Sequence, residues 1–290
     1  MVVVVVRARV RRRRSFLNRK LVSPLRRQRG VRWFVGVGVI ATAVVIARTA
    51  LSRRTQTPTP IDFGMALIPA GYYSIGVDVG AANVRPAHRV RLAAFGLDKR
   101  EATVADFRAF AIATNAPTPW TGEPPANDYD HPVTGVYWSE ASSFCLWRHP
   151  RGGRLPTEEE WEAATRGVAG WPYPWGYDFA VGYANTLSAN RSGPVPTGSF
   201  PNGATPAGVQ DLIGNVWEWT SSLYHAYPRA TPFADSMQQF RVVRGGAFST
   251  PDSIATALVR GYNRPIAPRD QLALTGFRCA MNARQDTAAK

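Results

Sequence analysis

All of the net charge in this chain sits in its first 54 residues, and that segregation decides which part can form a core. Of 35 Lys and Arg, 15 stand at or before Arg54, whereas the first acidic residue is Asp62. The formal charge of +15 therefore belongs to a leader, and residues 55–290 carry 20 basic and 20 acidic groups. A nucleic-acid-binding domain builds a basic face from an excess of Lys and Arg. The body has no such excess, so nucleic acid is not an expected partner.

Within the leader, residues 33–47 form an uncharged apolar run. As a helix it reaches about 22 Å against a hydrocarbon core of about 30 Å, and Arg48 can snorkel to lengthen the span. Twelve Lys and Arg precede the run, against Arg48, Arg53 and Arg54 after it. The positive-inside bias then predicts a cytoplasmic stretch 1–32, a membrane signal anchor at 33–51 and a periplasmic body. The same run has the length of the apolar region of a cleavable signal peptide. Arg13-Arg14-Ser15-Phe16-Leu17 also resembles a twin-arginine export signal. A retained anchor and a cleaved signal both fit.

Residues 52–60 (SRRTQTPTP) are a polar, Pro-containing linker, and 284–290 form a tail. Between them, 61–283 is rich in Gly, Pro and aromatics, and three helices are predicted. The first has Thr103 and Asp106 as a capping pair, with Val104, Phe107, Phe110 and Ala111 on one face. The second covers 139–147 and groups Ala141, Phe144 and Cys145. The third has Thr157 as N-cap and Glu160 at N3, its early Glu residues complementing the helix dipole, with Trp161 and Ala164 on the buried side. From 170 to 283 short apolar segments alternate with loops. The class is α+β, an irregular single domain low in regular secondary structure.

Several phrases then converge. Gly64-Met65 with Ile68-Pro69-Ala70-Gly71, Pro86-Ala87-His88-Arg89-Val90 and His131-Pro132-Val133 come first. Arg154-Leu155-Pro156-Thr157-Glu158-Glu159-Glu160-Trp161 and Tyr173-Pro174-Trp175-Gly176 follow. Asp211-Leu212-Ile213-Gly214-Asn215-Val216-Trp217-Glu218-Trp219, Arg244-Gly245-Gly246 and Gly276-Phe277-Arg278-Cys279 complete the series. This order resembles the formylglycine-generating enzyme, or sulfatase-modifying factor, family, whose fold is a variant of the C-type lectin fold.

The resemblance implies a late segment with two cysteines that bind copper, since soft thiolates suit Cu(I). Counted from Gly246, those positions hold Thr250 and Ala255, and the neighbouring family Ser and Tyr are replaced by Ala247 and Ile254. No copper is expected. The resemblance further implies a Cys145–Cys279 disulfide, while both partners of a second family bridge are missing, at Thr165 and Arg260. It implies a calcium ion held by the side chains of Asp211 and Glu218 and the carbonyls of Gly214 and Val216. Pairing of Glu218 with an Arg is the alternative. At a second family calcium site Asn185 matches a ligand, but Gly198 stands where a carboxylate is wanted. Trp217, Arg244, Gly245 and Gly246 are the candidate lining of a groove, and Arg154 and Arg278 are expected as buried polar anchors.

His88, His131, His149 and His225 show no HxH or HxxxH spacing. Asp128, Asp130 and His131 read as a hydrated turn. Two functions follow: an oxidase-like maturation factor with non-thiol chemistry acting on a peptide or small-molecule substrate, or a non-catalytic binding or assembly module of an envelope complex.

Overall fold

Thr103 caps helix α1 (Val104–Thr114) as its sequence predicts. Its Oγ1 accepts the Asp106 N–H at 3.1 Å, and the Asp106 carboxylate accepts the Thr103 N–H at 3.3 Å. The helix stops at Asn115, which takes a left-handed φ of 55° that Asn tolerates. This computed structural model describes residues 64–283 apart from 125 and 238. The anchor expected at 33–51, the linker and the tail lie outside the described residues, and no described helix is long and apolar enough to cross a membrane.

Helix α2 (Trp138–Arg148) runs one residue further at each end than 139–147, because the Glu140 carboxylate caps the Tyr137 N–H at 2.8 Å. Helix α3 (Glu158–Arg166) carries the full capping box, Thr157 Oγ1 to the Glu160 N–H at 3.1 Å and Glu160 to the Thr157 N–H at 2.9 Å. The early acids Glu158, Glu159 and Glu160 stand in its first turn as expected, and Glu158 and the later Glu162 also lie in the interior.

Three sheets complete the fold. The first has the order β1 (Met65–Ile68), β4 (Phe95–Asp98), β10 (Ala280–Asn282) and β5 (Gly153–Arg154), so the start and end of the domain meet on β4. A second pairs β2 (Gly71–Ile75) with β3 (His88–Leu92). The third has the order β8 (Arg260–Asn263), β7 (Arg241–Arg244), β6 (Trp217–Leu223) and β9 (Thr275–Gly276). The main core lies where α1 and α2 meet the strands, with Phe107 and Phe144 stacked at 5.9 Å and Phe277 edge-on to Phe144 at 5.1 Å. Each such fully buried ring contributes roughly 1.5–3 kcal/mol of transfer free energy. Cys145 on α2 is bonded to Cys279, just ahead of β10, and clamps helix to sheet inside this core.

Candidate functional site

Strand β7 is followed by Gly245 and Gly246, whose φ values of 95° and 79° favour glycine. The turn they start closes on itself. The Ala247 N–H donates to Thr250 Oγ1 and the Thr250 N–H donates to the Ala247 carbonyl, both at 2.8 Å. Ala255 is fully buried beside Tyr173, Ala184 and Ile213. The two positions that would carry thiolates thus hold a hydroxyl that already serves the backbone and a methyl sealed in a small core. These residues do not fit a copper centre.

Arg244 corrects the groove reading. It is fully buried and lines no open surface. Its guanidinium pairs with Glu162, lies 3.5 Å from Glu158 and donates to the carbonyls of Ala257 and Leu258. The carboxylate of Glu162 also accepts from Arg166 and from the Gly76 N–H, each at 2.8 Å. Arg260, where the family's second disulfide would sit, instead binds Glu158, with Nη2 to Oε2 at 2.8 Å. Thr165, the other half of that lost bridge, donates to the Trp161 carbonyl. Burial opposes the charge on Arg244, but Glu162, Tyr227 and Glu158 outweigh it and hold its pKa above the ordinary guanidinium value. Burial pushes the Tyr227 phenol up, so it stays a neutral donor to Glu158 at 3.1 Å.

The loop 211–218 is also built around charge. Asp211 and Asn215 adopt left-handed φ values of 59° and 56°, and a Cβ on Gly214 would collide with the Asn185 carbonyl. Glu218 accepts Arg278 Nη2 on Oε1 at 2.6 Å, and Arg278 Nε at 2.7 Å and Trp161 Nε1 at 2.8 Å on Oε2. Arg278 is thus the buried anchor expected, whereas Arg154 is only half-buried and grips Glu160. Asp211 accepts the Gly198 N–H at 2.6 Å, at the glycine that replaces a carboxylate.

Glu101 was not picked out from the sequence. Its Oε2 accepts Asn215 Nδ2 at 2.7 Å, and burial, followed by the nearby Asp211 and Glu218, pushes its pKa well above the carboxylate range. Its Oε1 and the Oδ1 of Asn185 are buried acceptors without a donor. Excess buried acid and two orphaned oxygens fit a hard cation such as Ca²⁺. Among the described residues no three His, Cys, Asp or Glu side chains converge as ligands of one ion. A cation here therefore depends on backbone carbonyls such as those of Gly214 and Val216.

Trp217 belongs elsewhere. Its ring packs over Gly261, and it lines a cleft of about 370 Å³ with Tyr262, to which no residue of 246–255 contributes. Around 246–255 large apolar side chains stand exposed beside polar ones such as Ser188 and Ser253. Leu187 is hydrogen-bonded through its N–H to the Thr250 carbonyl and is 57% exposed; Ile254 is 54% exposed. Trp171, 45% exposed, precedes Pro172, whose carbonyl accepts the Ala257 N–H. Another cavity, of about 890 Å³, has charged walls in which Arg148 pairs with Asp106 and Asp98, and Asp98 also meets His149.

Comparison with known proteins bears on this arrangement. The sequence profile of a family described as "Sulfatase-modifying factor enzyme 1-like domain" matches residues 49–283. The chain is similar to an "Inactive C-alpha-formylglycine-generating enzyme 2" of Mus musculus, 29% identical over 312 residues, covering 87% of this chain and 96% of that protein. It is also 29% identical over 269 residues to a "Hercynine oxygenase" of Mycolicibacterium thermoresistibile, covering 74% of this chain and 58% of that longer relative. Among solved structures it resembles PvdO from Pseudomonas aeruginosa, with a TM-score of 0.62 and 23% identity over 75% of this chain and 94% of the other. That last likeness is one of fold.

Proposed function

Because this chain belongs to the sulfatase-modifying factor enzyme 1-like family, we propose that it is a member turned from copper-dependent oxidation to binding: a non-catalytic module, anchored by residues 33–51, that holds a partner outside the cytoplasm. The observation that carries this reading is the sealed turn 246–255. Thr250 is bonded inward, Ala255 is buried, and Ile254 in this segment, Leu187 on the Thr250 carbonyl and Trp171 beside Pro172 are large apolar side chains left exposed. Exposed apolar clusters of this kind mark interaction surfaces. The competing reading is an oxidase-like maturation factor with non-thiol chemistry.

Two measurements on the full-length chain separate them. The purified protein is expected to convert no sulfatase-type cysteine peptide to formylglycine with copper, and elemental analysis is expected to find no stoichiometric copper or iron. Leu187→Asp with Ile254→Asp is expected to abolish capture of the native partner while leaving Tm within about 2 °C, as for other surface changes. Copper-dependent peptide oxidation, or a redox metal bound one to one, would overturn the proposal.

The location is open to a direct test. A reporter fused after Lys290 is expected to be active only outside the cytoplasm, as the charge asymmetry across 33–47 requires. Cytoplasmic activity of that fusion refutes the export reading.

Calcium is proposed at Asp211, Gly214, Val216 and Glu218, supported by the orphaned oxygens nearby. A hundredfold excess over Kd adds about 2.7 kcal/mol to the native state, which for a domain of this size raises Tm by roughly 5–10 °C. If melting is the same with Ca²⁺ and with a chelator, Glu218 serves Arg278 and Trp161 alone.

A further inference from the structure

The fold covers only one face of the β2–β3 hairpin. Tyr73, Ile75, Val90 and Leu92 turn inward onto the core that holds Trp161 and Ala164 of α3. Strand alternation sends Tyr72, Ser74, Arg89 and Arg91 to the opposite face, and all four are exposed. The register sets Tyr72 across from Arg91 and Ser74 across from Arg89, so two guanidiniums and a phenol share one patch. Arg89 lies over the Tyr72 ring, 4.8 Å from its centroid, and Tyr72 is 58% exposed. Among the described residues neither Arg89 nor Arg91 has a carboxylate partner. Between positions 64 and 97 Asp78 is the sole acid, against Arg85, Arg89 and Arg91, and its carboxylate is taken by the Ala87 N–H at 3.0 Å. The patch is therefore basic.

Two further observations say what such a patch meets. The loop 76–87 that closes the hairpin carries an uncharged tip, Val79-Gly80-Ala81-Ala82, in which every residue is exposed and Val79 is 89% exposed. The tether is also short. Twelve residues, 52–63, separate the proposed anchor from Gly64, and they reach at most about 40 Å. Strand β1 follows at once, and Pro69-Ala70 joins it to β2. Arginines attract anionic headgroups, and an exposed tyrosine suits the interface between headgroup and acyl chain. A soluble acidic partner would answer the guanidiniums but not the apolar tip. We infer that the outer face of the β2–β3 hairpin docks the domain onto anionic phospholipid of the membrane that anchors it. The inference rests on the anchored reading proposed above.

Full-length protein carrying Ser74→Cys, labelled there with an environment-sensitive dye, tests it in vesicles of phosphatidylcholine with and without phosphatidylglycerol. Ile112→Cys, at an exposed position on α1, carries the same dye as a control. Spin-labelled lipid is expected to quench the dye at position 74 in the anionic vesicles only, and the dye at position 112 in neither. Each arginine near an anionic surface strengthens association about fivefold, so Arg89→Gln with Arg91→Gln is expected to lower the docked-to-free ratio more than tenfold. Tm is expected to stay within about 2 °C in every variant. Quenching at 74 that is absent from anionic vesicles, equal in neutral ones, matched at 112 or kept by the double variant overturns the inference. So does a soluble polyglutamate peptide that shifts the dye as far as the anionic vesicles do. Flotation reads the anchor separately. Protein that fails to float with neutral vesicles refutes the anchored reading, and the dye at 74 with anionic vesicles still decides the hairpin.

Discussion

Glu162→Ala is expected to destabilise the domain by about 3–5 kcal/mol, the cost of breaking a buried ion pair from one side. For a domain of this length that is a fall in Tm of roughly 10 °C. The reason is the number of groups that depend on one carboxylate. Glu162 is fully buried and accepts from Arg244, Arg166 and the Gly76 N–H. Without it Arg166 loses its ion pair, and Arg244 keeps only a 3.5 Å approach to Glu158, whose carboxylate already binds Arg260. Glu162→Gln preserves the shape and an acceptor for Gly76 but removes the charge, so it is expected to recover only part of the loss. Thermal denaturation of the two variants beside wild type decides the matter. A Glu162→Ala protein that melts within about 2 °C of wild type would show that the network is not holding α3 to β2 and β7.

That network marks where the sequence could and could not be read. Capping chemistry is local, so Thr103–Asp106 and Thr157–Glu160 announced two helix starts within four residues of text. Ion pairs are not local. Glu162 and Arg244 are 82 positions apart, and Glu158 and Arg260 are 102 apart. Trp161 and Ala164 marked a buried side of α3, but not that Glu158, Glu162, Thr165 and Arg166, which share the i, i+3, i+4, i+7, i+8 face with Trp161, are buried as well. Trp161 in the middle of that face was the available signal. The same blindness made Arg244 look like a groove residue from its place beside Gly245, when its partners lie in a distant helix.

The candidate site divides in a similar way. The loss of the thiolates at Thr250 and Ala255 could be counted from the sequence alone, once the resemblance supplied the register. What those positions do instead could not. Closure of the turn by Thr250 Oγ1 and the packing of Ala255 against Tyr173 depend on loops that no period describes. Glu101 went unnoticed because a single acid between Arg100 and Ala102 in a charged stretch looks solvated. Only the fold brings it to Asn215, 114 positions away.

Removing the Cys145–Cys279 bridge is expected to cost about 4–5 kcal/mol in the chain-entropy account, a loss in Tm of roughly 10–15 °C. The bond closes a loop of 134 positions, so the unfolded chain regains much freedom when it is broken. It also lies inside the main core, with both cysteines fully buried against Phe107, Phe144 and Phe277. Alanine is the informative replacement, since a buried serine hydroxyl would add its own desolvation cost. Because the two sulfurs make one bond, Cys145→Ala, Cys279→Ala and the double variant are expected to lose nearly the same stability, in strong violation of additivity. Independent, additive losses would mean that the thiols act separately. Protein recovered from its native compartment is further expected to resist alkylation until it is denatured and reduced, because a disulfide of this kind persists only where the surroundings are oxidising. Two alkylated cysteines in protein denatured without reductant would remove the bridge and, with it, the chemical support for an exported domain.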